Sequence, residues 1–283
     1  MAKICVVADS SIALMPDEAK KLGIELAPLN VIIDGKSGID LFEVTPQEVE
    51  DALRAGKDVS TSQPNLGYLE DLFARIKSEK YDHIFVYTLA GYLSGTFNAL
   101  QLAANNNEIE NITFVDTKSA AGVVRHIAQR TQELAHEGKS IAEITAYAQK
   151  ASETSITYVL PDNLDQLRKN GRVTGAVAAL SNLLKIKLCL YLAWETEQIE
   201  KFNTDRNERR LYQAIYDDML KRGFNTKDYM IYVPDCDGDS RVEQYSKFIL
   251  EKEPDIKMEK MVLPAGIAAH VGLGTFGVQV VLK

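Results

Sequence analysis

Ile4-Cys5-Val6-Val7-Ala8, running into Asp9-Ser10-Ser11, decides how this chain is read. Five apolar residues without a polar break mark a strand buried on both faces, as in a parallel sheet. His83 to Tyr87 repeats the pattern and ends in Thr88; Ile112 to Val115 repeats it again and ends in Asp116-Thr117. Helical signals lie between these runs. Thr45-Pro46-Gln47-Glu48 is a capping box with proline at the first helical position, and Ser140-x-x-Glu143 is a second. Asn65 precedes Leu66, Leu69, Leu72, Phe73 and Ile76, which follow helical spacing. Ser94 is placed to cap a helix carrying Phe97 and Leu100. Strand–helix alternation of this kind implies a parallel sheet flanked by helices. Ligands of such sheets bind at the carboxyl ends of the strands, where Asp9, Thr88 and Asp116 fall.

The pattern changes near residue 150. Ile156 to Leu160 reads as a strand, and Pro161 to Lys169 as a helix stopped by Gly171. Ile186, Leu188, Leu190 and Leu192 alternate with Lys187, Cys189 and Tyr191, which predicts a strand with one more exposed face. Leu211, Ile215 and Met219 give a helix; Tyr229 to Val233 and Thr275 to Leu282 give strands. The chain of 283 residues exceeds the usual size of a single core. The expected division is therefore an N-terminal α/β domain over 1–150, mainly a parallel sheet, and a C-terminal α/β domain over 151–283 with a mixed sheet.

Composition narrows the function classes. A net charge of −8 argues against nucleic acid or an anionic membrane as the main partner, since both require basic surface. Three widely separated cysteines, Cys5, Cys189 and Cys236, form neither a disulfide framework nor a metal motif, so a reducing cytoplasm is expected. The apolar core after Lys3 is too short for a signal peptide, and no apolar stretch reaches the roughly 18 residues of a spanning helix.

Three segments carry candidate chemistry: Thr61-Ser62-Gln63-Pro64, Leu93-Ser94-Gly95-Thr96, and Ala269-His270-Val271-Gly272-Leu273-Gly274. The first two read as hydroxyl-rich turns, the second opening a helix whose free amides attract an anion. The third sets a histidine among glycines. Gly272-x-Gly274-x-x-Gly277 matches a dinucleotide fingerprint by letter, but too little chain follows for the rest of that unit. Asp235-x-Asp237-Gly238-Asp239 lacks calcium-loop spacing and reads as a solvated turn. Ser94 has no nucleophile-elbow glycines around it, since Tyr92 and Thr96 occupy those places. His126 and His136 read as solvated helical residues. Two functions stand against each other: a binder of an anionic head group, or an esterase or acyltransferase using Ser94 and His270. A binder of another small anion, such as a phosphate ester, is a third.

Taken together, Asp9-Ser10-Ser11, Thr61-Ser62-Gln63-Pro64, Leu93-Ser94-Gly95-Thr96, Val115-Asp116-Thr117, Asn170-Gly171-Arg172-Val173, Asn182-Leu183-Leu184-Lys185-Ile186-Lys187 and His270-Val271-Gly272-Leu273-Gly274 resemble the DegV family of bacterial fatty-acid-binding proteins along the whole chain. The resemblance implies two α/β domains with a ligand tunnel between them, holding a long-chain fatty acid such as palmitate and no cofactor or metal. It implies that Thr61 and Ser94 hold the carboxylate with His270 close by, within a ligand-binding set of Thr61, Ser62, Ser94, Gly95, Thr96, His270 and Arg172. It further implies presentation of the acid to a separate fatty acid kinase subunit, the binder itself not being a catalyst. The tail is expected among Leu160, Leu164, Leu167, Leu183, Leu184 and Ile186. The chain departs from the family at Ala90-Gly91, where relatives often carry two serines, at Leu273, where proline is usual, and near Asn203, where an arginine is replaced and Arg206 is the nearest basic residue.

Overall fold

The computed structural model describes residues 2–179 and 186–283. Its first sheet is parallel, in the order β2-β1-β6-β7, formed by β1 (Ile4–Asp9), β2 (Ile24–Ala27), β6 (His83–Thr88) and β7 (Ile112–Asp116). Alternate residues of the central strands serve opposite cores: Val6, Ala8, Phe85 and Tyr87 face one, and Cys5, Val7, Ile84 and Val86 the other. That is why the runs lack polar breaks. A small antiparallel sheet, β4-β3-β5, comprises β3 (Asn30–Ile33), β4 (Lys36–Ile39) and β5 (Val59–Ser62). Thr61-Ser62 is thus the end of a strand and not a turn.

Helices α1 (Pro16–Lys21), α2 (Pro46–Arg54), α3 (Leu66–Ser78), α4 (Thr96–Asn106), α5 (Gly122–His136) and α6 (Ile141–Thr154) complete the first half. The capping boxes at Thr45 and Ser140 form as expected, and Asn65 accepts from the Tyr68 amide. Ser94 does not occupy the cap position of α4; Gly95 does, and Ser94 Oγ accepts from the Thr96 amide at 3.3 Å.

The second half is a mixed sheet ordered β10-β9-β8-β13-β11-β12. Its strands are β8 (Ile156–Leu160), β9 (Lys187–Ala193), β10 (Glu200–Asp205), β11 (Tyr229–Cys236), β12 (Met258–Val262) and β13 (Thr275–Leu282). The helices are α7 (Asp165–Lys169), α8 (Gly175–Ala178), α9 (Glu208–Lys221), α10 (Asp239–Lys252) and α11 (Ala265–Val271). Residues 161–164 are loop, so α7 starts later than the periodicity suggests, but Gly171 ends it with φ +67°. Strand β9 has the expected more exposed face, with Lys187 and Tyr191 half-buried on it: Leu188, Leu190 and Leu192 on the other face join one cluster with Leu167 and Ile199, while Cys189 and Ala193 join another under α9 and α10.

The halves share a core. Helix α5 packs against β1 and β6 on one side and β11 and β13 on the other. Met230, Tyr232 and Val281 accordingly cluster with Val6 and Phe85. His126 on α5 is therefore half-buried, 3.2 Å from Tyr232 Oη, and not solvated; burial pushes its pKa down to about 4. Helix α11, late in sequence, returns to pack on α2, β3 and β5. All three cysteines are buried thiols. Among the described residues no helix is long and apolar enough to cross a membrane.

Candidate functional site

Four expected residues surround one cavity: Thr61 from β5, Ser94 from the loop before α4, Arg172 after α7 and His270 on α11. Each is delivered by a local signal. Thr61 pairs with Val31 across the small sheet, which aims it inward while Ser62, the next residue along, is exposed. Arg172 follows the left-handed Gly171 that turns the chain out of α7. His270 sits in the last turn of α11, which Gly272, with φ +78°, brings to a stop. Gly95 and Thr96 do not line the cavity. Gly95 lies beside the first hydroxyl segment, a Cβ there falling 2.5 Å from Oε1 at the end of the exposed Gln63 side chain. Thr96 is fully buried with its hydroxyl 2.8 Å from that of Ser94, which fixes the Ser94 rotamer.

The electrostatics of the four are uneven. Thr61 Oγ1 lies 2.7 Å from His270 Nε2. Burial, reinforced by the positive charge of Arg172, pushes His270 down to about 3, so the imidazole is neutral at pH 7. Its Nδ1 is buried without a hydrogen-bond partner. The tautomer protonated on Nε2 leaves only an acceptor unpaired, which is less costly than a stranded N–H. In that state His270 donates to Thr61, and the Thr61 hydroxyl hydrogen is free to turn to a ligand. Arg172 donates to the carbonyls of Leu93 and Asn170, and no carboxylate pairs with it among the described residues. An unpaired guanidinium beside a neutral imidazole and two hydroxyls suits a carboxylate.

Ser94 and His270 do not meet: the Ser94 hydroxyl is engaged with Thr96, His270 Nε2 lies against Thr61, and among the described residues no acid accepts from His270 Nδ1. Beyond the head of the site the walls are apolar: Leu29, Leu89 and Leu93, then Val159, Leu167, Leu192 and Ile199, then Leu263, Ile267 and Val271. The enclosed cavity between them is about 90 Å³; counting all the non-atom space out through its open mouth gives about 860 Å³. Thr157, Thr275 and Gln279 are its other polar walls, and each already has a protein partner. Of the residues expected to receive a tail, only Leu167 lines the cavity; Leu160 and Leu164 are packed in neighbouring clusters, and Leu183 and Leu184 lie outside the described residues. Sequence reasoning missed Leu29, Leu192, Ile199 and Gln279, because their convergence is a property of sheet order, not of spacing.

The departures avoid the cavity. Buried Ala90 donates its amide to Ser119 O, and Gly91 donates to Asp116 Oδ1. Asn203 stands on β10 opposite Cys189, and Arg206 is exposed beyond that strand. Asp235 is not part of a solvated turn: it is buried and accepts from the Gly238 amide, while Asp237 pairs with Arg54 on the surface. No metal-binding cluster exists among the described residues.

Residues 3–283 match the model of a family described as "Uncharacterised protein, DegV family". A DegV domain-containing protein of Listeria innocua is 28% identical over 286 residues, covering 99% of each chain. A protein of Thermotoga maritima named fatty acid-binding protein is 28% identical over 291 residues, covering 98% of each. Among solved structures, one describing fatty acid binding of a DegV family protein from Thermus thermophilus superposes with TM-score 0.89 at 27% identity, over 99% of this chain and 100% of that one. With its parallel and mixed sheets, and a family match running nearly end to end, this chain belongs to the DegV family.

Proposed function

We infer that this protein binds a long-chain fatty acid, with palmitate as the representative ligand, and performs no bond chemistry on it. The observation that carries this reading is one apolar cavity whose head presents two hydroxyls, a neutral imidazole and an acid-free guanidinium. A buried carboxylate must be hydrogen-bonded to be tolerated, and Arg172 supplies the charge while Thr61 and Ser94 supply donors. The tail provides most of the affinity: each buried methylene contributes about 0.8 kcal/mol, so sixteen carbons give on the order of 10 kcal/mol before binding entropy. The hydroxyls orient; the hydrocarbon holds. Relatives named for fatty acid binding support the same ligand class.

Presentation of the bound acid to a separate fatty acid kinase in the cytoplasm completes the reading, on the strength of the family resemblance. Protein purified from cells, extracted with organic solvent and examined by mass spectrometry, should release a long-chain acid. Recovery of empty protein that also fails to take up palmitate would overturn the assignment. Stoichiometric labelling of Ser94 by a fluorophosphonate would instead establish an acyl enzyme.

A further inference from the structure

Asp40, just after β4, is fully buried beneath the head of the cavity. The Ser10 hydroxyl donates to Asp40 Oδ2 at 2.7 Å and accepts from the Leu29 amide at 3.1 Å. The Gly266 amide, in the first turn of α11, also favours the charged carboxylate. The approach is close, since a Cβ on Gly266 would lie 2.7 Å from Asp40 Oδ2. The other oxygen, Oδ1, is buried without a hydrogen-bond partner. Helix α11 needs an outside anchor. Its cap residue is Pro264, which offers no side-chain bond, and a helix of seven residues does not hold itself in isolation. What is anchored is cavity wall: Leu29 through Ser10, and Gly266 with Ile267 and His270 along the helix. Burial lifts Asp40 to about 7, and the charge of Asp9 on β1 adds to that. Asp9 in turn holds the amide of Leu89, another wall residue, at 2.7 Å.

The geometry points to Asp40 as a positioning residue for the head-group site: it fixes α11 from below and so sets the His270 imidazole against Thr61 without touching the ligand. This rests on the fatty-acid reading above. A carboxylate kept in the interior at a desolvation cost is explained by what it holds in place.

The test uses the full chain, palmitate titrations, and the ring nitrogen signals of the four histidines. Asp40→Asn should lower palmitate affinity about tenfold and shift the His270 ring signal, leaving His83 and His136 in place. In a Thr61→Val background the same substitution should cost no more than about twofold, because both changes act on one contact. Unchanged palmitate affinity, an unmoved His270 signal, or an undiminished tenfold loss beside Thr61→Val would each overturn the proposal. Should Asp40→Asn fail to fold, Ser10→Ala removes one bond to the same carboxylate, and the same two readouts apply with about a threefold loss. If the unaltered protein takes up no palmitate, the fatty-acid reading falls, and the His270 signal still decides whether Asp40 sets that ring.

Discussion

Thr61 and His270 are 209 positions apart and their side chains meet at 2.7 Å. The contact joins the last strand of the small sheet to a helix near the end of the chain, and it makes Thr61 a donor aimed into the cavity. Thr61→Val and Ser94→Ala should therefore each weaken palmitate binding by about 1–3 kcal/mol, the usual cost of removing one partner of a buried ion. Titration calorimetry at equal protein stability checks this. Full affinity in both variants would remove the assigned head-group site.

Arg172 separates charge from hydrocarbon. Arg172→Met should reduce palmitate affinity about tenfold or more while leaving the affinity for hexadecanol close to that of the unaltered protein. Equal losses for acid and alcohol would show that Arg172 only packs.

Four buried groups predict an unusual response of stability to pH. Burial raises Asp9 to about 6 and Asp40 to about 7, and lowers His126 to about 4 and His270 to about 3. Near pH 5 the folded protein therefore carries protons on the two acids, and the unfolded chain carries them on the two histidines. Stability changes with pH in proportion to the difference in bound protons, so the four contributions cancel there. His126→Gln removes a proton from the unfolded side, and stability should then rise on acidification between about pH 6 and 4.5. Asp40→Asn removes one from the folded side, and stability should fall over the same range. Each slope should approach about 1.4 kcal/mol per pH unit in urea melts. Parallel pH profiles for all three proteins would contradict the assignment.

Gly122 opens α5 against the mixed sheet, and a methyl group there would fall on Cβ and Cγ of Tyr232. Those atoms are held by β11 and cannot swing aside. Gly122→Ala should cost about 1–3 kcal/mol and lower Tm by about 2–4 °C for each kcal/mol. An unchanged melting curve would mean that α5 is not clamped between the sheets.

Much of this was legible in order. The unbroken runs at Ile4, His83 and Ile112 became three strands of the parallel sheet, and the caps at Thr45, Asn65 and Ser140 became helix starts, because each signal is local. Thr61-Ser62 was misread because a short polar strand ahead of Gln63-Pro64 has the composition of a turn. The more exposed face predicted for β9 is there at Lys187 and Tyr191, but the solvation predicted for His126 failed because the covering element, β11 with Tyr232, comes from elsewhere in the chain. The hydroxyls and His270 stood out by residue type. Asp40 did not, since an acid between Ile39 and Leu41 gives no hint that Ser10 and Gly266 will enclose it.

Cys5, Cys189 and Cys236 each keep 2% or less of their surface accessible, and burial pushes the thiols of Cys5 and Cys236 up to about 12 and that of Cys189 well above the ordinary thiol range. Thiolate is the species that reacts, so the native protein should resist iodoacetamide and peroxide alike. Alkylation then proceeds only through molecules that have opened, and its rate becomes a gauge of how often they do. With one such gauge in the parallel sheet and two in the mixed one, mass spectrometry of partially alkylated chains would tell whether the protein comes apart all at once or in stages.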